Sequence, residues 1–386
     1  MENDGYGACV AEIRRVLEGT LNYERDWTDR EVKNHVTAAV LEKARVYGLD
    51  TQAKKQMIEQ LFNGLRRMDL LQPLLEDESV TDIMVNGPNH VFVERGGRML
   101  ELSCAFEDPR KLEDLIQLMA AAVNREINEA SPLVDARLAD GSRIGAVLPP
   151  VALDGPMLAI RKFPAQSLSM ADLLEKGTLT VQAADFLEEA VAGRRNIFIS
   201  GGTSSGKTTL LNVLSNSIPK DQRVVTIEDA AELKIEGVQN LVRLEARPPN
   251  TEGKGTVSIR DLIRMALRLR PDRIVVGEVR GAEALDMLQA MNTGHEGSLS
   301  TGHANSARDM LNRIETMVLM GSALPLEAIR QQMVSSLDML VHLARMRDGS
   351  RKIVEIANMK GLKGNEIELE TVFAEQEGIL IRVAPS

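Results

Sequence analysis

The sequence predicts an α/β fold for its C-terminal half, built on a mainly parallel sheet, preceded by a smaller α+β domain and a helical N-terminal arm. Three observations carry this. From about Thr180, short apolar strands alternate with helical stretches, the pattern of a parallel sheet with crossover helices. Between Leu74 and Lys162, short strands are punctuated by turn signals such as Asn86-Gly87-Pro88 and Arg95-Gly96-Gly97, which predict an antiparallel meander. Before about residue 70, apolar residues recur at helical spacing.

In order, Thr28-Asp29-Arg30-Glu31 reads as a capping box ahead of Val32, Val36, Val40 and Ala44, and Gly48 ends that helix. Met57, Ile58, Leu61, Phe62 and Leu65 mark the apolar face of another. In the second region, strands are expected at Asp82–Val85, His90–Glu94 and Arg98–Leu102. A helix bearing Leu112, Leu115, Ile116, Met119 and Val123 follows, then a hairpin across Ala139-Asp140-Gly141-Ser142 and a strand at Leu158–Lys162. In the third, strands are expected at Asn196–Ser200, Arg223–Ile227, Arg273–Val276, Ser298–Thr301 and Met339–Arg345. Helices are expected at Lys207–Asn216, Arg260–Leu269, Ala282–Thr293 and Met310–Met320, and Gly349 turns the chain into a C-terminal β-hairpin at the sheet edge. The boundaries follow: helices over 1–70, the α+β domain over 71–163, a linker over 164–180 and the α/β domain over 181–386.

The 386 residues are enough for two or three domains, with cores that are aliphatic because aromatics make up only 3%. A net charge of −10 argues against a protein that coats nucleic acid, and no direct nucleic-acid binding is expected. Cys9 and Cys104 stand apart, in no metal-ligand spacing, as suits a reducing compartment. No apolar run approaches the roughly 18–20 residues of a membrane span. A cytoplasmic protein that reaches a membrane only through partners is expected.

The chemistry centres on Gly201-Gly202-Thr203-Ser204-Ser205-Gly206-Lys207-Thr208-Thr209, placed between a buried strand and a helix. This is Gly-x4-Gly-Lys-Thr in the strand–loop–helix setting that it requires. Backbone N–H groups of such a loop cradle phosphate oxygens, and the helix N-terminus adds its positive dipole end. Lys207 is expected to reach the β- and γ-phosphates and Thr208 to bind Mg²⁺, so a nucleoside triphosphate, ATP once the resemblance below is added, and Mg²⁺ are the expected ligands. Glu278 follows the apolar strand Arg273–Val276, about 70 residues downstream. A carboxylate there binds the Mg²⁺ shell or polarises the attacking water. Glu228 ends the strand Val224–Ile227 and is a second candidate for orienting that water and for the Mg²⁺ shell; Asp229 either shares that role or caps the next segment. His295 and His303 bracket a strand, and a γ-phosphate or carboxylate sensor fits them better than a metal site. Arg137, Arg143 and Arg161 stand on strands just before the linker, where they are candidates to bring positive charge to a γ-phosphate.

Taken together, these motifs resemble the type II/type IV secretion traffic ATPases, and most closely the branch serving Tad/Flp pili (CpaF-like proteins). The resemblance rests on Asp140–Arg143 with Val147–Pro150, Ile160–Phe163, the phosphate loop, Thr226–Leu233, Arg243–Gly255, Leu267–Gly281 and Gly294–Ser306. One departure is Ser204, where many members carry Gly. The resemblance implies a RecA-like ATPase domain in a cytoplasmic homohexameric ring. Such a ring works at the inner membrane with platform proteins of a pilus or secretion system. It implies that Glu228 belongs to the Asp box, Glu278 to the Walker B element and His295 and His303 to the His box, and that Arg143 and Arg161 approach the nucleotide phosphates. The expected function is an Mg²⁺-dependent ATPase motor for Tad/Flp-type pilus assembly or secretion. A ring ATPase for conjugative DNA or protein transfer is the alternative, and a non-hydrolysing nucleotide-gated assembly factor is a third, disfavoured by the presence of Lys207, Glu228 and Glu278.

Overall fold

The computed structural model describes residues 3–20, 27–44, 46–66, 68–163, 168–247, 249 and 254–383. The chain divides between Pro164 and Ala165 into two units.

The first unit opens with helices α1 (Asn3–Thr20), α2 (Asp29–Ala44) and α3 (Thr51–Arg66). The capping box forms as its residue types dictate. The backbone N–H of Thr28 donates to Glu31 at 2.9 Å, and the Glu31 N–H donates to the Thr28 hydroxyl at 3.3 Å. Val32, Val36 and Val40 of α2 meet Met57, Leu61 and Phe62 of α3 and Ile13 of α1 in a core of their own. After the short helix α4 (Gln72–Glu76) come β1 (Val80–Asn86), β2 (Val91–Arg95), β3 (Arg98–Leu102), α5 (Pro109–Ala121), β4 (Leu133–Arg137), β5 (Arg143–Val147) and β6 (Met157–Arg161). They form a six-stranded sheet in the order β3-β2-β1-β6-β5-β4, antiparallel throughout, so the expected meander is one half of it. Asp108 caps α5 by accepting from the Lys111 N–H, and α5 packs Leu112, Ile116 and Met119 on Ile83, Val93, Ile144 and Ile160.

The second unit contains α6 (Met170–Glu175), α7 (Val181–Ala192), β7 (Ile197–Gly201), α8 (Lys207–Ser215), β8 (Arg223–Glu228), β9 (Asn240–Glu245), α9 (Ile259–Ala266), β10 (Arg273–Val276), α10 (Glu283–Met291), β11 (Leu299–His303), α11 (Ala307–Gly321), α12 (Leu326–Ser336), β12 (Met339–Arg345), β13 (Arg351–Lys363), β14 (Glu366–Gln376) and β15 (Ile379–Arg382). Its nine strands run β15-β14-β13-β12-β7-β11-β10-β8-β9. The six from β12 to β9 are parallel; β13, β14 and β15 add on antiparallel.

Alternating residues face opposite helical layers, which is why these strands read as unbroken apolar runs. Phe198, Val225, Ile227, Ile274 and Val276 face the layer of α9–α12, while Ile197, Ile199, Val224 and Val275 face that of α6–α8. Each such buried side chain stabilises by about 1.5–3 kcal/mol. β7 is central and entirely buried, so its C-terminal end lies at the switch point where ligands bind in open α/β sheets.

The structure departs from the sequence expectations in three places. Within the stretch expected to be linker, α6 is helical under a Ser169–Asp172 capping box, and Leu173 and Leu179 enter the core of the second unit. The C-terminal segment adds three strands to the sheet, one more than a hairpin. β9 was missed because it is the sheet's edge strand, where Arg243 and Glu245 interrupt the apolar pattern. At the opposite end of the sheet from the loop, Arg273 is fully buried. It donates to Gln222 at 2.6 Å and to the Val191 carbonyl at 2.5 Å, and burial lowers its pKa to about 10. It ties the end of α7 to the starts of β8 and β10. Among the described residues no helix is long and apolar enough to cross a membrane.

Candidate nucleotide site

The loop Gly201–Thr209 joins β7 to α8 with the geometry that its glycines allow. A Cβ on Gly201 would lie 2.5 Å from the Ser205 hydroxyl and 2.6 Å from the Leu343 carbonyl oxygen. Gly206 adopts φ +97°, which glycine accepts without strain. Lys207, Thr208 and Thr209 then open α8. Lys207 folds back over the loop, donating to the Gly202 carbonyl at 2.8 Å.

The second unit brings together several of the expected residues around Glu278. His303, at the end of β11, places Nε2 2.8 Å from one Glu278 oxygen, and its Nδ1 lies 3.3 Å from the Lys207 ammonium. Arg280 donates to the other Glu278 oxygen at 2.7 Å and lies 3.7 Å from Asp229. Burial lowers the pKa of His303, against the opposing pull of Glu278. A neutral ring fits its neighbours: Nδ1 accepts from Lys207, while Nε2 lies against a Glu278 oxygen that has no hydrogen-bond partner among the described residues. Burial also lowers the pKa of Lys207, while Glu278 counters it.

Glu228 sits on the neighbouring strand and is only 2% exposed. One carboxylate oxygen accepts the backbone N–H groups of Glu232 and Leu233, both at 2.9 Å. The capping role weighed for Asp229 thus falls to Glu228, while Asp229 faces Arg280. The other Glu228 oxygen has no hydrogen-bond partner among the described residues, and burial raises the pKa of this group to about 7. Before the loop opens a cleft of about 450 Å³, lined by Gly202, Thr203, His303, Asn305, Asp309 and Arg313 among others.

Within the second unit, His295 stands apart from this cluster. His295 precedes β11 at the far end of the sheet, where its Nδ1 lies 3.1 Å from the Ala290 carbonyl. Arg143 and Arg161 belong to the first unit, near Asp135 at 3.8 Å and Asp82 at 3.2 Å respectively. Arg137, Arg143 and Arg161 are direct cross-strand partners on β4, β5 and β6, so three guanidinium groups stand in a row on one face. Like charges placed opposite one another destabilise a sheet, and Asp82, opposite Arg161 on β1, and Asp135 offset this row.

The sequence profile described as type II/IV secretion system protein matches residues 66–372. The chain belongs to this family of secretion ATPases. A Mycobacterium tuberculosis protein whose name assigns it provisionally to conjugal transfer is 39% identical over 316 residues, covering 80% of this chain and 89% of the relative. The type IV secretion system protein PtlH of Bordetella pertussis is 35% identical over 324 residues, covering 76% and 95%. The crystal structure of the pilus retraction motor PilT with bound ADP superposes with a TM-score of 0.54 at 23% identity, covering 74% of this chain and 81% of that one. It supports the RecA-like fold.

Within this member of the family, the site includes three arginines that sequence reasoning did not single out. Arg280 is two residues beyond Glu278, and that proximity was a usable signal. Arg313 reaches the cleft from one helical turn past Asp309, and Arg351 comes from β13. Neither had a local signal, because sheet topology brings them to the loop.

Proposed function

We propose that this chain binds and hydrolyses ATP and uses it to drive a secretion or pilus machine. The observation that carries the reading is the meeting of Lys207, His303 and Glu278 beside the phosphate loop. The residues fit the nucleotide and its metal. The loop leaves no room for a Cβ at Gly201, and Glu228 keeps a buried oxygen unpartnered. Thr208, Glu228 and Glu278 would hold Mg²⁺, directly or through water. When bound, Mg²⁺ neutralises charge on the phosphates. Glu278, held by Arg280 with His303 close beside it, takes the proton of the attacking water, while Lys207 leaves the Gly202 carbonyl for phosphate oxygens. The purified chain is expected to release phosphate from ATP, and Lys207→Ala is expected to abolish that release. Equal, background-level release from both would sink the proposal.

The arginine row supports a homohexameric ring in which Arg143 and Arg161 bring positive charge to a nucleotide site, from the same subunit or the next. The active species is expected to have the mass of a ring by light scattering, and a fully active monomer would refute it. For the cargo, the motif pattern supports Tad/Flp pilus assembly at the inner face of the cytoplasmic membrane. The relatives' names favour a second reading, conjugative or type IV secretion. Capture of the membrane partner, a pilus platform protein or a transfer-channel component, separates them.

A further inference from the structure

We infer that Arg351 is a positioning residue for the phosphate-binding loop: it holds the Ser204 peptide in its left-handed turn and thereby sets nucleotide affinity. This rests on the nucleotide-site reading and deepens it. Ser204 has φ +57°, a region that non-glycine residues occupy only when their surroundings enforce it. The Nε–H of Arg351 supplies that enforcement by donating to the Ser204 carbonyl at 2.9 Å. The Arg351 stem also lies along the loop, so that a Cβ on Gly206 would stand 3.5 Å from its Cδ and 3.9 Å from its Cβ.

The placement follows from the β12–β13 hairpin. β12 pairs with β7 in parallel, which sets Leu343 opposite Gly201. The turn after β12 closes through the Met346 N–H donating to the Ser350 carbonyl at 2.8 Å, with Gly349 at φ +86°. Arg351 is the first residue after that turn. The end of the hairpin therefore meets the loop twice, through Leu343 against Gly201 and through Arg351 at Ser204. A hydrogen bond from an exposed arginine ordinarily contributes little. Here its acceptor belongs to a peptide in an unfavourable conformation, inside a loop whose N–H groups must converge on one anion. Ordering the loop before the nucleotide arrives removes that ordering from binding.

The test is titration with a fluorescent ATP analogue, with thermal melting as the check on folding. Arg351→Ala is expected to weaken binding roughly 3- to 10-fold, the range for loss of one hydrogen bond. Arg351→Lys should fall between Arg351→Ala and wild type, and kcat at saturating ATP should stay near wild type, because Lys207 and Glu278 are untouched. Ser204→Gly alone should change affinity less than 2-fold, roughly, since glycine adopts this φ unaided. The Ser204→Gly/Arg351→Ala double variant should recover affinity close to wild type. Wild-type affinity in Arg351→Ala, or a double variant as weak as Arg351→Ala, would overturn the proposal. If wild type itself binds no better than Lys207→Ala, the nucleotide-site reading fails first and takes this one with it.

Discussion

Glu278→Gln should retain ATP binding within a few fold while turnover drops by roughly two orders of magnitude or more, the usual contribution of a positioned general base. The geometry makes the change nearly isosteric. The amide keeps an oxygen that can accept from Arg280, which now holds one Glu278 oxygen at 2.7 Å. What disappears is a negative charge that Lys207, His303 and Arg280 surround. The phosphate-binding loop is left intact, so affinity depends on Lys207 and the backbone N–H groups as before. Phosphate release and equilibrium nucleotide binding, measured on the same preparation, separate the two effects. Turnover near wild type would remove Glu278 from the base role, and loss of binding would make it a structural anchor for Lys207.

How much of this was legible in the sequence varies with the range of the interactions. The strand–loop–helix around Lys207 was readable because all its determinants lie within about a dozen residues: an apolar run, glycines at both ends of the loop and the start of a helix. The Thr28–Glu31 capping box was readable for the same reason. Placing Glu278 needed one further step, that a carboxylate just past a buried parallel strand lies at the ligand-binding end of the sheet. His303 and His295 looked equivalent, yet β11 separates them to opposite ends of the sheet, and only His303 reaches Lys207. Strand length and direction decided that, and neither is encoded in the identity of a histidine. Residues 164–180 read as linker because they fall between two domain patterns, but Leu173 and Leu179 enter the core of the second unit and anchor α6 there. Arg273 illustrates the limit. It begins a strand and nothing near it in sequence marks it as buried, yet it is fully buried, with Gln222 and the Val191 carbonyl, distant in sequence, accepting its hydrogen bonds.

Glu228→Gln should have opposite effects on stability and on activity. In the folded chain without nucleotide or Mg²⁺, burial holds the Glu228 carboxyl near a pKa of about 7, against 4.5 when unperturbed. Between those values the folded state binds more protons than the unfolded state, so this group makes stability fall as pH rises from about 4.5 to about 7, and level off above. The displacement corresponds to about 3 kcal/mol at full ionisation, as an order of magnitude. Glutamine carries no charge to bury and still accepts the N–H groups of Glu232 and Leu233. Its amide N–H groups need partners of their own, which reduces the gain. Glu228→Gln is therefore expected to be more stable than wild type by about 1–3 kcal/mol at pH 8, with the difference shrinking towards pH 5. Denaturant midpoints at the two pH values measure this. Turnover should move the other way, because the oxygen left unpartnered in the fold is the one available to orient water or metal. In wild type, kcat/KM, which reports the free enzyme, should fall on the acid side as Glu228 takes up its proton, and that fall should be missing from the residual activity of the variant. A variant less stable than wild type at pH 8 would mean that the ionised carboxylate is held by attractions stronger than its burial penalty. An acidic fall retained in the variant would assign it to another group.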